Sequence, residues 1–216
     1  MDWRTFALYA AAFLISLSFH ESAHAWTASR LGDMTGARLG RISLNPMRHI
    51  DLFGTILLPL MLWFGSHGTV MFGYAKPVPY NPYALKNPPL GSAAIAAAGP
   101  LSNLLLAVVA AYSFGLLTHG SGFAGGSVGA QFFRILMFVN VGLASFNLIP
   151  CPPLDGGTVL SGLLPAGPRQ AFAQIERYGF LILLALMYTG MLDRILGPVQ
   201  DFLLTYLLKF AGGFRG

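Results

Sequence analysis

The residues best equipped for chemistry lie in the stretch LSFHESAHAW, Leu17 to Trp26. His20 and His24 stand four apart, and Glu21 sits between them. On a helix that spacing puts both imidazoles on one face, one turn apart. Two rings so placed can reach a single ion at about 2.0–2.1 Å. The glutamate is offset around the helix and reaches a bound water instead of the metal. H-E-x-x-H on a helix is the pattern of two zinc ligands with the general base of a metalloprotease. With five histidines and two glutamates in the chain, shuffling yields the pattern about once in a thousand sequences.

The element that carries these residues is unusual for them. Trp3 to Ala28 is apolar and exceeds the ~20 residues that cross a bilayer. Ionisable side chains at membrane depth are costly and mark functional sites. If the helix leaves the membrane near Arg30, His24 and His20 lie about 9 and 15 Å below that face, at 1.5 Å per residue. A removable leader with Ala23-His24-Ala25 at its cleavage site is the weaker reading. Asp2 stands beside Arg4 in its head, and cleavage would cut through the histidine pair.

Composition agrees. Of 216 residues, 55% are hydrophobic and 10% charged, against about 25% charged in soluble domains. This points to an all-α polytopic membrane protein, one folding unit over residues 1–216. Its core is expected at 3–157, with accessory helices in 158–216. The formal charge of +5 fits basic cytoplasmic loops, so the expected surroundings are lipid bilayer and not nucleic acid. Cys151 is alone, which excludes an internal disulfide. Oligomeric state stays open.

Further spans are expected at Gly91 to Leu117 and Phe132 to Ile149. Weaker apolar runs follow at 180–192 and 195–210, the last interrupted by Asp201. The basic loop Arg30 to Asp51 is placed in the cytoplasm by the positive-inside rule. The loop Thr118 to Gln131 lacks Lys, Arg, Asp and Glu and belongs outside. The N-terminus then lies outside, the chemistry nearer the cytoplasmic face, and the C-terminus inside if both weak runs cross. The run Asp51 to Gly65 has both ends inside, so it is expected to dip and return or to lie in the interface. The proline-rich stretch Gly73 to Gly91 forbids helix and favours extended chain.

A catalytic zinc needs a third protein ligand and an open position. Asp2, Asp193 and Asp201 sit at edges or in the tail, and His67 and His119 lie in loops. His49 and Asp51 are on the basic loop, close in sequence but shallow. Asp155 is the best placed. It follows a span that returns to the histidines' side, and Pro150, Pro152, Pro153, Gly156 and Gly157 give it irregular backbone. The alternative is that Asp155 caps the helix after it. For the oxyanion, Asn147 is the first candidate donor and Asn103 the second, while Asn140 shares a helix face with Asn147. Each could instead form an interhelical hydrogen bond, worth about 0.6 kcal/mol. Lys76 to Pro82 offers either an edge for strand addition or a plain connector. A metal transporter and an inactive client-holding protein are the competing functions. Neither needs Glu21 as a base.

HESAH, AAGPLSN and NLIPCPPLDGG, in that order, resemble the site-2 protease family of intramembrane zinc metalloproteases. HIDLFGT and GYAKPVPYNP are similar to its small bacterial branch, except that Leu52 stands where proline is expected. The resemblance spans Phe19 to Gly157. It implies a three-helix catalytic core and one Zn2+ per chain held by His20, His24 and Asp155. It implies Glu21 as base and single-pass membrane proteins as substrates, cut within or near their spans. The chain is too short for the PDZ or CBS domain that the family often carries.

Overall fold

The computed structural model describes residues 2–57, 61, 76–118 and 127–212. Helix α1 runs Trp3–Arg30, and Asp2 caps it by accepting from the Thr5 amide at 2.6 Å. A single turn follows, α2, Thr35–Arg38. Helix α3 runs Pro88–Thr118 and α4 runs Val128–Asn147, the latter capped by the Ser127 hydroxyl. Four shorter or bent elements complete the chain: α5 (Asp155–Leu163), α6 (Ala166–Glu176), α7 (Gly179–Tyr188) and α8 (Met191–Gly212). No strand occurs among the described residues.

Helices α1, α3 and α4 are each long and apolar enough to cross a membrane, and each packs on the other two. The protein is therefore an all-α, multi-helix membrane protein. Small side chains allow the close contact: Ala12 on α1 meets Ala110 and Ala111 on α3, with Ile135, Leu136 and Met137 of α4 filling the remainder. In lipid, where no hydrophobic force drives helices together, such close backbone approach supplies the attraction.

The proline-rich stretch is helix-free only in part. Residues 76–81 are in neither helix nor strand and Pro82–Ala84 forms a short turn, but α3 already begins at Pro88. The expectation that prolines exclude helix up to Gly91 is corrected here. Pro88 and Pro89 occupy the first turn, where amide hydrogens have no partner in any case. Of the run 51–65, Leu52–Leu57 forms one wide helical turn. Residues 58–60 and 62–75 lie outside the described residues, and with them most of the expected dip.

The segment from Lys76 to Asn81 is strapped to the loop that follows α1. The Lys76 amide donates to the His49 carbonyl at 2.9 Å, and the Asn81 amide donates to Asp33 Oδ2 at 2.8 Å. Arg41 binds the Arg48 carbonyl at 2.6 Å. Burial raises the Asp33 carboxyl, but the Thr35 hydroxyl and the Asn81 and Thr35 amides outweigh it and hold the group below its usual range.

The C-terminal helices support the loop before α5. Ile149, Cys151 and Leu154 pack on Leu183, Leu192 and Leu196. Helices α6 and α7 meet at a 66° bend and count at most as one broken span. Helix α8 carries Asp193, Arg194, Asp201 and Lys209 and is not among the candidate spans.

Candidate metal centre

Helix α1 turns His20, Glu21 and His24 inward, all under 9% exposed. Its neighbour α3 can lie against these rings because residue 99 is glycine. A Cβ there would collide with His24 Nε2 and would stand 2.6 Å from His20 Cε1. Asp155 arrives from the other side as the first residue of α5. The N-cap is Leu154, whose apolar side chain makes no capping bond, and the Asp155 carboxylate lies against His20 and His24. Gly156 makes this entry possible, because a Cβ would strike the carbonyls of Leu148 and Ile149.

Three atoms converge. His20 Nε2 and His24 Nε2 are 3.0 Å apart. Asp155 Oδ2 is 3.1 Å from the first and 3.5 Å from the second. The ligand atoms of this trio lie within 4.8 Å of one another, and it is the one such group of three among the described residues. The other ring nitrogens are already committed. His24 Nδ1 donates to the Ile95 carbonyl at 2.7 Å, and His20 Nδ1 stands 2.6 Å from Asn103 Oδ1. Neutral rings so bonded present lone pairs at Nε2. Asp155 Oδ2 is buried without a hydrogen-bond donor. Two lone pairs and an anionic oxygen therefore face one another, an arrangement a cation satisfies. Two imidazole nitrogens and a carboxylate oxygen form the donor set of a three-ligand zinc centre.

The other expected residues are placed as follows. Asn103 and Asn140 are fully buried and hydrogen-bonded to each other at 2.8 Å. Asn147, at the end of α4, donates to the Leu143 carbonyl one turn back, at 3.0 Å. Among the rejected third ligands, Asp51 caps the Gly54 amide and His49 donates to the Ser43 carbonyl. Asp193 and Asp201 are exposed on α8, and His67 and His119 lie outside the described residues. Sequence reasoning missed the Ile95 carbonyl and the role of Gly99. The small-residue run around Gly99 was the available signal.

Gly99→Ala is expected to weaken metal binding sharply while leaving the helices formed. Overpacking of a filled site costs about 1–3 kcal/mol, and here the added carbon falls on the histidine rings themselves. Metal content after dialysis, set against helicity by circular dichroism, checks this.

Known proteins share this arrangement of sequence. The profile of peptidase family M50 matches residues 8–126 and 122–189. A Bacillus subtilis protein described as a candidate zinc metalloprotease, YwhC, is 39% identical over 87% of this chain and 83% of its own. A Mycolicibacterium smegmatis protein described in the same way, Rip2, is 30% identical over 88% of this chain and 70% of its own. The Rip2 of Mycobacterium tuberculosis strain H37Rv is 29% identical over 87% and 69%. No solved structure matches significantly.

Proposed function

The chain belongs to peptidase family M50, the site-2 protease family, and on that premise we propose that it is an intramembrane zinc endopeptidase. Its substrates are single-pass membrane proteins, cut within or near their spans. The observation that carries this reading is the convergence of His20, His24 and Asp155 on a helix apolar enough to cross a membrane. The relatives' names supply the metal, zinc, and the single trio of ligand atoms among the described residues supports one ion per chain.

His20 Nε2, His24 Nε2 and Asp155 Oδ2 hold the ion. Zinc held there supplies Lewis acidity to the attacking water and the scissile carbonyl. Glu21, buried on the same helix, takes the water's proton and returns it to the leaving amine nitrogen. Asn147 keeps one amide hydrogen beyond its bond to Leu143, and we assign that hydrogen to the developing oxyanion. Gly156, next to Asp155, packs on the carbonyls of Leu148 and Ile149, the two residues that follow Asn147 in the chain. The strap at Lys76 to Asn81, held at both ends and free of helix, offers its backbone to a substrate segment that has left its own helix. By the distribution of basic loops the site lies nearer the cytoplasmic face, with the N-terminus outside and the C-terminus inside if the runs 180–192 and 195–210 both cross.

The test is a reconstituted cleavage assay on a panel of single-span proteins, with each cut mapped by mass spectrometry. Cuts inside or beside the span, stopped by a zinc chelator, are expected. Cuts confined to the soluble flanks would refute the intramembrane reading.

A further inference from the structure

Ser16 lies one helical turn before His20 on α1, and Ser16, Asn103 and Asn140 are all fully buried. Together they form a chain of hydrogen bonds that crosses three helices and ends on His20. Asn103 Nδ2 donates to the Ser16 carbonyl at 3.2 Å and to Asn140 Oδ1 at 2.8 Å. Asn140 Nδ2 donates to Ser16 Oγ at 2.7 Å and to the Leu136 carbonyl at 2.8 Å. The Ser16 hydroxyl donates to the Ala12 carbonyl at 2.7 Å.

The polarity of this chain is determined. Backbone carbonyls only accept, so those of Ala12, Ser16 and Leu136 fix which end of each amide carries hydrogen. Both hydrogens on Asn103 and both on Asn140 are used. What Asn103 has left is its oxygen, and that oxygen lies 2.6 Å from His20 Nδ1. With its hydrogen on Nε2, His20 would set a ring lone pair against a carbonyl lone pair. The two histidines differ in this respect: His24 is oriented by the backbone at Ile95, His20 by side chains.

We propose that Ser16 and Asn140 are positioning residues that hold His20 in the Nδ1–H tautomer, so that Nε2 is free for metal before metal arrives. Neither side chain is hydrogen-bonded to a metal ligand; both act through Asn103. With their amide hydrogens consumed, Asn103 and Asn140 serve the ring and not the oxyanion. The inference rests on the proposed role of His20 as a ligand.

Asn140→Leu removes the middle of the chain while keeping size and apolar fit, and it leaves the Ser16 hydroxyl on its carbonyl. Ser16→Ala removes the far end. Ser18→Ala is the control, since the Ser18 hydroxyl bonds only Leu14 on its own helix. The protonated nitrogen of His20 is read by 15N NMR in metal-free protein with neutral rings, and zinc affinity by chelator competition. In wild type, His20 is expected wholly as Nδ1–H. Asn140→Leu is expected to admit the Nε2–H form and to weaken zinc about tenfold, the low end for partners of a metal ligand. Ser16→Ala shifts both in the same direction by less, and Ser18→Ala shifts neither. If Asn140→Leu leaves the tautomer unchanged, or if Ser18→Ala weakens zinc as much as Ser16→Ala, the relay is only helix packing and the proposal fails. A tautomer shift in a protein that binds no zinc would keep the relay and sink the metal reading, so the two fail separately.

Discussion

Glu21→Gln is expected to abolish measurable cleavage while the protein still carries one zinc. The carboxamide matches the carboxylate in shape but cannot accept the proton of the attacking water. Loss of a positioned general base costs about 10²- to 10⁴-fold. Zinc stays because the three converging ligand atoms belong to His20, His24 and Asp155, not to Glu21. Metal content and turnover of a single-span substrate, measured on one preparation, decide the matter. Full activity in Glu21→Gln would remove Glu21 from the mechanism, and a protein that only transports or holds clients would also be indifferent to the change. Loss of zinc would make Glu21 a ligand.

Asp155→Ala is expected to lose zinc and activity together while the helices stay formed. The change removes the one anionic donor of the trio and leaves two neutral imidazoles. Partners of metal ligands are worth about 10–100-fold in affinity, so a direct ligand is worth more than about 100-fold. The structural cost is small by comparison. The N-cap of α5 is Leu154 and not Asp155, and a carboxylate in a first turn contributes about 0.3–1 kcal/mol through the helix dipole. A helix-capping role would give the reverse pattern, a destabilised protein that still binds zinc. Equilibrium dialysis and thermal unfolding of the metal-free forms separate the two.

Most of the site was legible because its parts obey local rules. His20, Glu21 and His24 announce themselves by one-turn spacing on an apolar helix. Asp155 is favoured by the parity of the spans and by the prolines and glycines around it, but a helix-capping role stays open on those grounds, and it is the family resemblance that singles it out as a ligand. Sequence could not orient the asparagines. Asn140 and Asn147 share a periodicity, but only the packing of α1 on α3 and α4 shows Asn140 turned to Ser16 and Asn103. Asn147 instead bonds its own helix. The contact of Gly99 with the histidines was hidden for the same reason: it is a property of two helices and of neither alone. Pro88 and Pro89 misled because proline density reads as extended chain, whereas a first helical turn tolerates them. The C-terminal region was ambiguous in composition and stays so in form. Helices α6 and α7 bend by 66°, and α8 mixes charge with apolar surface.

The central claim is that a metal held by His20, His24 and Asp155 drives peptide hydrolysis in the membrane. The most direct test is to purify the wild-type protein, count its zinc, strip it, and measure cleavage of a single-span substrate before and after zinc is returned. One zinc per chain is expected, with activity lost on removal and restored on return. Cleavage that continues in the stripped protein, or a purified active protein without zinc, would contradict the claim.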